Sequence, residues 1–230
     1  MSILEEFHIN YPSLNHKNYT ESVYRFCEEN EFSMILKGSL AKGLATKYSD
    51  IDLIILGDIT KNKVDELITL YDKPIMTNFT ENPKGILILV YPNNISVDLD
   101  IRETISQEDL INSKVLLKYD KNYILNDELI IRRTITSEYM PNRSAWYSVL
   151  RLLHKGVVKY LSNKTDSAYN FLSEIKESLN DLNINNLKFS DNFEEDIQCI
   201  FNEFCKTFEI DLRIKNLFYN LFKEFLNIDY

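Results

Sequence analysis

The sequence predicts an α+β domain over residues 1–125, followed by an all-helical domain over residues 126–230. Two observations support this division. Short apolar runs alternate with polar turns in the first part of the chain, which is typical of strands that are separated by helices. After about residue 126, long amphipathic patterns predominate and Gly156 is the only remaining glycine, which is typical of helices joined by short connections.

The elements of the first domain follow from the positions of these apolar runs. The turn signal Pro92-Asn93-Asn94 between two of the runs predicts a β-hairpin. We expect helices over residues 18–30, 40–47, 58–71 and 106–111, and strands over residues 32–37, 51–56, 75–79, 85–91, 95–101 and 115–119.

The second domain is predicted from helical periodicity alone. Trp146, Val149, Leu150, Leu153 and Val157 recur at spacings of three and four, which places them on one helix face. We expect helices over residues 127–136, 144–161, 168–179, 193–208 and 214–226.

Composition and charge restrict the class of protein. Hydrophobic residues make up 44% and charged residues 27% of the chain, which is ordinary for a globular protein. The formal net charge of −9 disfavours a long nucleic acid as partner, because phosphate binding usually requires a basic surface. The chain has no apolar run long enough to span a membrane, and its acidic N-terminus does not resemble a signal peptide, so we expect a cytoplasmic protein without a membrane partner. The sequence does not specify an oligomeric state.

The most informative stretch begins where the first apolar run ends, at Gly38-Ser39, and continues into a second run that carries Asp50 and Asp52. Alternate residues of a strand point to the same face, so the two carboxylates should project together. Such a pair repels itself unless a cation lies between its members, and Mg²⁺ prefers oxygen ligands. Gly38 permits a close approach of backbone or phosphate, and Ser39 lies where a helix would begin. The stretch therefore predicts a metal and phosphate site.

This stretch resembles the nucleotidyltransferase superfamily whose best-known member is DNA polymerase beta. Residues 38–43, Gly-Ser-Leu-Ala-Lys-Gly, and residues 49–52, Ser-Asp-Ile-Asp, are similar to the motif of its bacterial antibiotic branch, which modifies aminoglycosides and lincosamides. The direct similarity covers roughly 20 residues, and the order of elements extends it over the first domain. The resemblance implies a mixed sheet flanked by helices.

The resemblance also implies a reaction. A hydroxyl of a small acceptor, possibly an aminoglycoside or a lincosamide, would attack the α-phosphate of a nucleoside triphosphate, and pyrophosphate would leave. ATP is the expected donor and AMP the expected transferred group. Two Mg²⁺ ions are the expected cofactors, and a cleft between the two domains is expected to hold the nucleotide and the acceptor.

A third carboxylate is expected from the strand over residues 95–101, where Asp98 and Asp100 share a face. Parity alone does not separate these two residues. We favour Asp98, and we expect whichever of them is not a metal ligand to pair with Arg102 or a nearby lysine.

Site roles are then carried over by the resemblance. The expected catalytic residues are Asp50, Asp52 and Asp98, and the candidate metal ligands are Asp50, Asp52, Asp98 and Asp100. The expected phosphate-binding residues are Gly38, Ser39 and Lys42, although Lys42 could also be a solvated surface lysine.

Several residues of the second domain remain open. Arg151, Lys155 and Lys159 recur every four residues and could clasp the triphosphate, or they could form a solvated helix face. His154, on the same helix, is more simply a packed residue. Glu138-Tyr139, near the domain junction, is a candidate for substrate binding.

Two alternatives to the small-molecule acceptor come from different classes. The first is a transferase of the toxin–antitoxin type that modifies a protein or an RNA. The second is a non-catalytic nucleotide-binding module on the same fold. The presence of all the acidic residues argues against the second alternative.

Overall fold

The computed structural model of the protein describes residues 4–81, 84–131, 144–184 and 187–225. The chain forms two compact units, Met1–Pro141 and Asn142–Tyr230. The division lies 16 residues beyond the predicted domain boundary after residue 125 (141 minus 125). Hydrogen bonds account for this difference over residues 126–131, because the Glu103 N–H donates to the Ile131 carbonyl and the Thr104 hydroxyl donates to the Leu129 carbonyl. These bonds tie the segment after residue 125 to the first unit.

The first unit contains a sheet and short helices. Its strands are β1 (Ser33–Leu36), β2 (Ile51–Leu56), β3 (Met76–Glu81), β4 (Lys84–Val90), β5 (Ser96–Arg102), β6 (Thr104–Ile105), β7 (Lys114–Leu117) and β8 (Ile124–Leu125). Its α-helices are α1 (Leu14–Glu29), α2 (Gly38–Ala41), α3 (Lys61–Thr69) and α4 (Gln107–Leu110).

The main sheet has the strand order β3-β4-β5-β2-β1-β7. Only the central pair, β2 and β5, is parallel, and the other neighbours are antiparallel. The prediction of a mixed sheet flanked by helices is therefore confirmed. The predicted hairpin is also confirmed, because β4 and β5 pair in antiparallel register.

The two faces of the sheet have different environments. Ile51, Leu53 and Ile55 of β2 belong to the large core, which also contains apolar side chains of α1 and α3. The alternate residues Ile54 and Leu56 join a much smaller apolar cluster on the opposite face. Asp52 has the same parity as Ile54, so it lies on the face that the main core does not occupy.

Two predicted helices differ most from the structure. The helix expected over residues 40–47 is shorter and begins earlier, at Gly38–Ala41, because Gly43 adopts a left-handed conformation with φ of 71° and ends it. The helix expected over residues 127–136 is wrong over residues 127–131, which form a bend and irregular chain, and its remaining residues lie outside the described part of the chain. The Asp127 carboxylate accepts from the N–H of Gln107, the first residue of α4, at 2.6 Å and so stabilises the beginning of that helix.

The second unit is helical throughout its described secondary structure, as predicted. Its α-helices are α5 (Ala145–Leu161), α6 (Thr165–Leu179), α7 (Phe193–Thr207) and α8 (Leu212–Glu224). Aromatic stacking contributes to its core, with the rings of Phe201 and Phe218 4.2 Å apart. Within the part of the chain that the structure describes, no helix has the length and apolar character required to cross a membrane.

Candidate active site

The pairing of β2 with β5 brings two aspartates together. Asp52 lies directly opposite Asp98 in the parallel register, and Ile54 lies opposite Asp100. Neighbouring strands are about 4.8 Å apart, and paired residues project to the same face, so the Asp52 and Asp98 carboxylates are neighbours. Both side chains are half-buried.

Asp52 and Asp98 line a cavity of about 400 Å³ on this face of the sheet. Charged side chains of both signs and a few apolar ones form its walls. The lining residues are Lys37, Gly38, Lys42, Asp52, Leu53, Ile54, Ile86, Asp98, Asp100, Arg102, Ile111 and Asn112. A volume of this order is typical of sites for small molecules.

Gly38 lies against the Asp52 carboxylate. Its φ is +65°, and a Cβ atom added to it would lie 1.8 Å from Asp52 Oδ2. The backbone N–H of Lys37 also donates to the Asp52 carbonyl at 2.9 Å. A side chain at position 38 would therefore displace the carboxylate, so Gly38 is required for the observed position of Asp52.

A largely buried group of four charges lies at the cavity wall, to which Lys37, Asp100 and Arg102 contribute. Arg102, which is 5% exposed, contacts Asp100 through Nη2 and Asp109 through Nη1, each at 2.5 Å. Lys37 Nζ reaches the other oxygen of Asp109 at 2.6 Å. Two cations and two carboxylates thus compensate one another in a region of low dielectric.

Protonation in this group follows from its contacts. Burial acts to raise the pKa of Asp109, but hydrogen bonds from Lys37 and Ser106 and the charge of Arg102 outweigh it and hold that pKa well below its usual value. Burial acts to lower the pKa of Arg102, and its contacts with Asp100 and Asp109 reverse that effect and raise it. Both groups are therefore charged at neutral pH.

Asp109 should stabilise the fold in a pH-dependent manner. We expect Asp109→Asn to lower the free energy of unfolding by about 2 kcal/mol at pH 7, because Lys37 and Arg102 lose their shared carboxylate. The folded pKa is depressed, so this contribution is complete above the unfolded pKa of about 3.9 and is lost as the pH falls toward the folded pKa. Urea unfolding from pH 7 to pH 3 measures it.

Asp120→Asn is the control for this measurement, because the Asp120 side chain is 95% exposed and should contribute almost nothing at any pH. The difference between wild type and Asp109→Asn should stay constant down to about pH 5 and shrink below about pH 4. A difference that does not change with pH would contradict the assigned charge state.

The structure places Asp98 and Asp100 in different environments, which their shared parity did not reveal. Asp98 is half-buried beside Asp52, whereas Asp100 is 4% exposed and ion-paired with Arg102. Arg102 therefore pairs with Asp100, and the choice of Asp98 as the third carboxylate stays a prediction.

Of the other residues predicted for the site, some line the cavity and some do not. Gly38 and Lys42 contribute to its wall. Ser39 in α2 and Asp50, one residue before β2, lie outside the lining as the described residues define it. Asp50 is half-buried, and its charge acts on the ring of His16 in α1. The roles assigned to Ser39, Lys42 and Asp50 stay predictions.

The side-chain oxygens of the site are of the kind that bind a divalent cation. Asp52 and Asp98 provide hard oxygen ligands at paired positions beside a cavity. Among the described residues, no cluster of three or more His, Cys, Asp or Glu side chains is arranged to hold a metal. Mg²⁺ is commonly held by one or two carboxylates together with substrate phosphates, so this pair fits such an ion.

The residues singled out in the second half of the chain have no assigned function. Arg151, Lys155 and Lys159 lie along α5, and their role in phosphate binding stays a prediction. His154 is buried, and its ring lies 6.3 Å from that of Phe218, so it has the packed environment that we expected. Glu138-Tyr139 lies outside the described residues.

Three residues near the site were not singled out from the sequence. Lys37 is a charged residue at the end of an apolar strand, immediately before Gly38, and this position could have indicated a site residue. Asp109 forms a capping box with Ser106, whose spacing of three residues could have indicated another. No local pattern indicated His16, because the residue that its ring contacts, Ser49, lies far away in sequence.

The first unit matches a known family model. Residues 23–121 match the family model described as the nucleotidyltransferase domain, and this match spans all six strands of the main sheet. No curated protein matches the sequence. A structure of the Thermotoga maritima CCA-adding enzyme complexed with tRNA is similar at 12% identity and a TM-score of 0.35. That similarity covers 89% of this chain and 54% of the other, so this chain spans about half the length of that protein.

Proposed function

From the premise that residues 23–121 form a nucleotidyltransferase domain, we propose that the protein transfers a nucleoside monophosphate to a hydroxyl of a small molecule, with Mg²⁺ as cofactor. The observation that carries this proposal is the pairing of Asp52 with Asp98 at the wall of a cavity, beside Gly38. ATP is the proposed donor, which makes AMP the transferred group.

In this reaction an acceptor oxygen forms a bond to the α-phosphorus of the nucleoside triphosphate. The bond from that phosphorus to the bridging oxygen breaks, and pyrophosphate leaves. Asp52, Asp98 and the preceding Asp50 would hold Mg²⁺, which supplies charge neutralisation for the phosphates when it is bound. The Asp98 carboxylate, half-buried beside the cavity, accepts the proton of the attacking hydroxyl.

Asp100 has a different role in this proposal. Its contact with Arg102 compensates its charge, and its burial leaves it less accessible than Asp98. We therefore assign Asp98 as the third carboxylate and Asp100 as part of the buried charge group that supports the strand.

Phosphate binding is assigned to the segment between β1 and β2. The exposed Lys42 lies at the wall of the cavity, and the backbone at Gly38-Ser39 provides N–H groups at the start of α2. Lys37 adds a second cation at the same wall, held by Asp109. These groups would orient the triphosphate by charge and hydrogen bonding rather than through covalent chemistry.

The acceptor is proposed to be an aminoglycoside or a lincosamide. The motif over residues 38–43 and 49–52 resembles that of the antibiotic branch. The volume of the cavity is that of a small-molecule site, and Ile86 and Ile111 add apolar contact area at its wall. The net charge of −9 also favours a cationic acceptor over a polyanion.

Transfer of label from α-³²P-labelled nucleotides tests the proposal. The protein is incubated with each of the four ribonucleotides, Mg²⁺, and a panel of aminoglycosides and lincosamides, and the products are separated by chromatography. We expect label on one class of drug, with ATP preferred. Asp52→Asn is the negative control, because it removes one of the paired carboxylates.

Parallel reactions with tRNA and with total cellular protein identify the other acceptor classes. Label on RNA or on protein, with none on any drug, would contradict the small-molecule acceptor and retain nucleotidyl transfer. Nucleotide binding without transfer to any acceptor would point to a non-catalytic module.

A further inference from the structure

His16 connects the first turn of α1 to the loop that leads into β2. Its side chain is buried, at 1% exposure, and its Nε2 atom lies 3.0 Å from the Ser49 carbonyl oxygen. Its Nδ1 atom lies 2.7 Å from the Ser13 hydroxyl. Because a carbonyl oxygen only accepts hydrogen bonds, Nε2 carries the hydrogen and donates it to Ser49. In the neutral ring, Nδ1 then accepts from Ser13.

Ser49 closes a turn in that loop from both sides. Its N–H donates to the Thr46 carbonyl at 2.9 Å, and its hydroxyl accepts from the Thr46 N–H, also at 2.9 Å. The Tyr48 N–H donates to the Thr46 hydroxyl at 3.3 Å. Asp50 follows this turn directly, and β2 begins at Ile51. The His16 contact therefore fixes the point at which the chain enters the strand that carries Asp52.

We propose that His16 is a positioning residue that fixes the Thr46–Ser49 turn through the Ser49 carbonyl and so orients the Asp50 carboxylate. This inference rests on the proposed function, in which Asp50 is a metal ligand. A ligand on a loop needs external support, because exposed loops are more mobile than the elements that they join. Residues behind the ligands commonly provide that support, and their removal weakens metal binding.

A simpler role for His16 would be to stabilise the beginning of α1. Ser13 is the N-cap of this helix and also contacts the ring, so some loss of stability is expected from either role. Thr20 separates the two, because its buried hydroxyl donates to the His16 carbonyl at 2.8 Å, a bond that lies within α1. Thr20→Val is therefore a control that disturbs α1 close to His16.

Binding of Mn²⁺ to the full chain, followed by electron paramagnetic resonance, provides a measurement that does not depend on turnover. We expect His16→Phe to raise the Kd for Mn²⁺ roughly 10-fold, because Phe fills the space without donating to Ser49. His16→Gln should restore a Kd near the wild-type value, since its amide can donate from the position of Nε2. Thr20→Val should lower the unfolding temperature and leave the Kd unchanged.

Ser49→Ala tests the role of the Thr46–Ser49 turn itself, which is more exposed than His16. It removes the bond from the Thr46 N–H and should raise the Kd for Mn²⁺ roughly 3-fold. The double variant should bind no more weakly than His16→Phe alone, because both changes act through the same turn. If His16→Phe does not fold, an unchanged Kd in Ser49→Ala overturns the inference.

The failure of this inference is distinguishable from failure of the proposed function. Wild type that binds Mn²⁺, loses it in Asp50→Asn, and keeps its Kd in a folded His16→Phe variant would overturn the positioning role alone. Wild type that neither binds Mn²⁺ nor transfers label would overturn both. Equal increases in Kd for Thr20→Val and His16→Phe would assign His16 to the stability of α1.

Discussion

Asp52→Asn and Asp98→Asn are each expected to lower nucleotidyl transfer roughly 10³-fold, with the fold retained. The two carboxylates lie at paired positions of β2 and β5 and line the same cavity, so loss of either removes one of the two paired carboxylates proposed to hold Mg²⁺ at the phosphates. Asparagine has nearly the same shape, which keeps the packing of the strand. The rate of transfer from α-labelled ATP and the Kd for Mn²⁺ are the measurements.

Asp100→Asn and Asp120→Asn complete this series. Asp100 is buried and paired with Arg102, so its replacement should reduce stability more than it reduces the rate at saturating Mg²⁺. Asp120 is exposed and should change neither quantity. An active Asp98→Asn variant together with an inactive but folded Asp100→Asn variant would show that the third carboxylate is Asp100.

Gly38→Ala is expected to abolish most activity while Gly43→Ala retains it. Both glycines have positive φ, 65° and 71°, so alanine should cost about 1–2 kcal/mol of stability at either position. Only at Gly38 does the added Cβ meet another group, Asp52 Oδ2 at 1.8 Å, whereas the space around Gly43 is open within 4 Å. The two variants therefore share the backbone strain and differ in the displacement of a carboxylate.

Activity and urea unfolding of the two variants, measured side by side, test this expectation. Gly38→Ala should lose roughly 10²-fold or more in rate, because displacement of a catalytic group by about 1 Å has effects of this size. Gly43→Ala should fall within a few-fold of wild type at the same loss of stability. Equal losses of activity would mean that the backbone conformation of the loop, and not the clearance for Asp52, limits the reaction.

Much of the first unit could be predicted from local patterns. The apolar run over residues 51–56 gave the bounds of β2 correctly, and the turn at residues 92–94 gave the hairpin. Local patterns failed where distant contacts decide the conformation. The segment over residues 126–131 forms no helix, because Glu103, Thr104 and Ile105 satisfy some of its backbone groups through hydrogen bonds.

The candidate site, like the fold, could be predicted where its residues are close in sequence. Spacing along the chain indicated Gly38, Asp50 and Asp52, since all three lie in one short stretch. It did not separate Asp98 from Asp100, because side-chain parity is the same for both. They differ in the folded structure, where Asp98 lies opposite Asp52 and Asp100 contacts Arg102. The His16 contact with Ser49 joins residues far apart in sequence, and no periodicity encodes such a pair.

The parallel pairing of β2 with β5 has a consequence for folding kinetics. The antiparallel neighbours β3 and β4, and β4 and β5, are close in sequence and can pair early, whereas β2 reaches β5 only after a long loop has closed. Asp52 and Asp98 become neighbours in that late step. A partly folded chain would therefore contain every predicted ligand and still lack the site, so binding of Mn²⁺ during refolding would report the completed sheet and not its early hairpins.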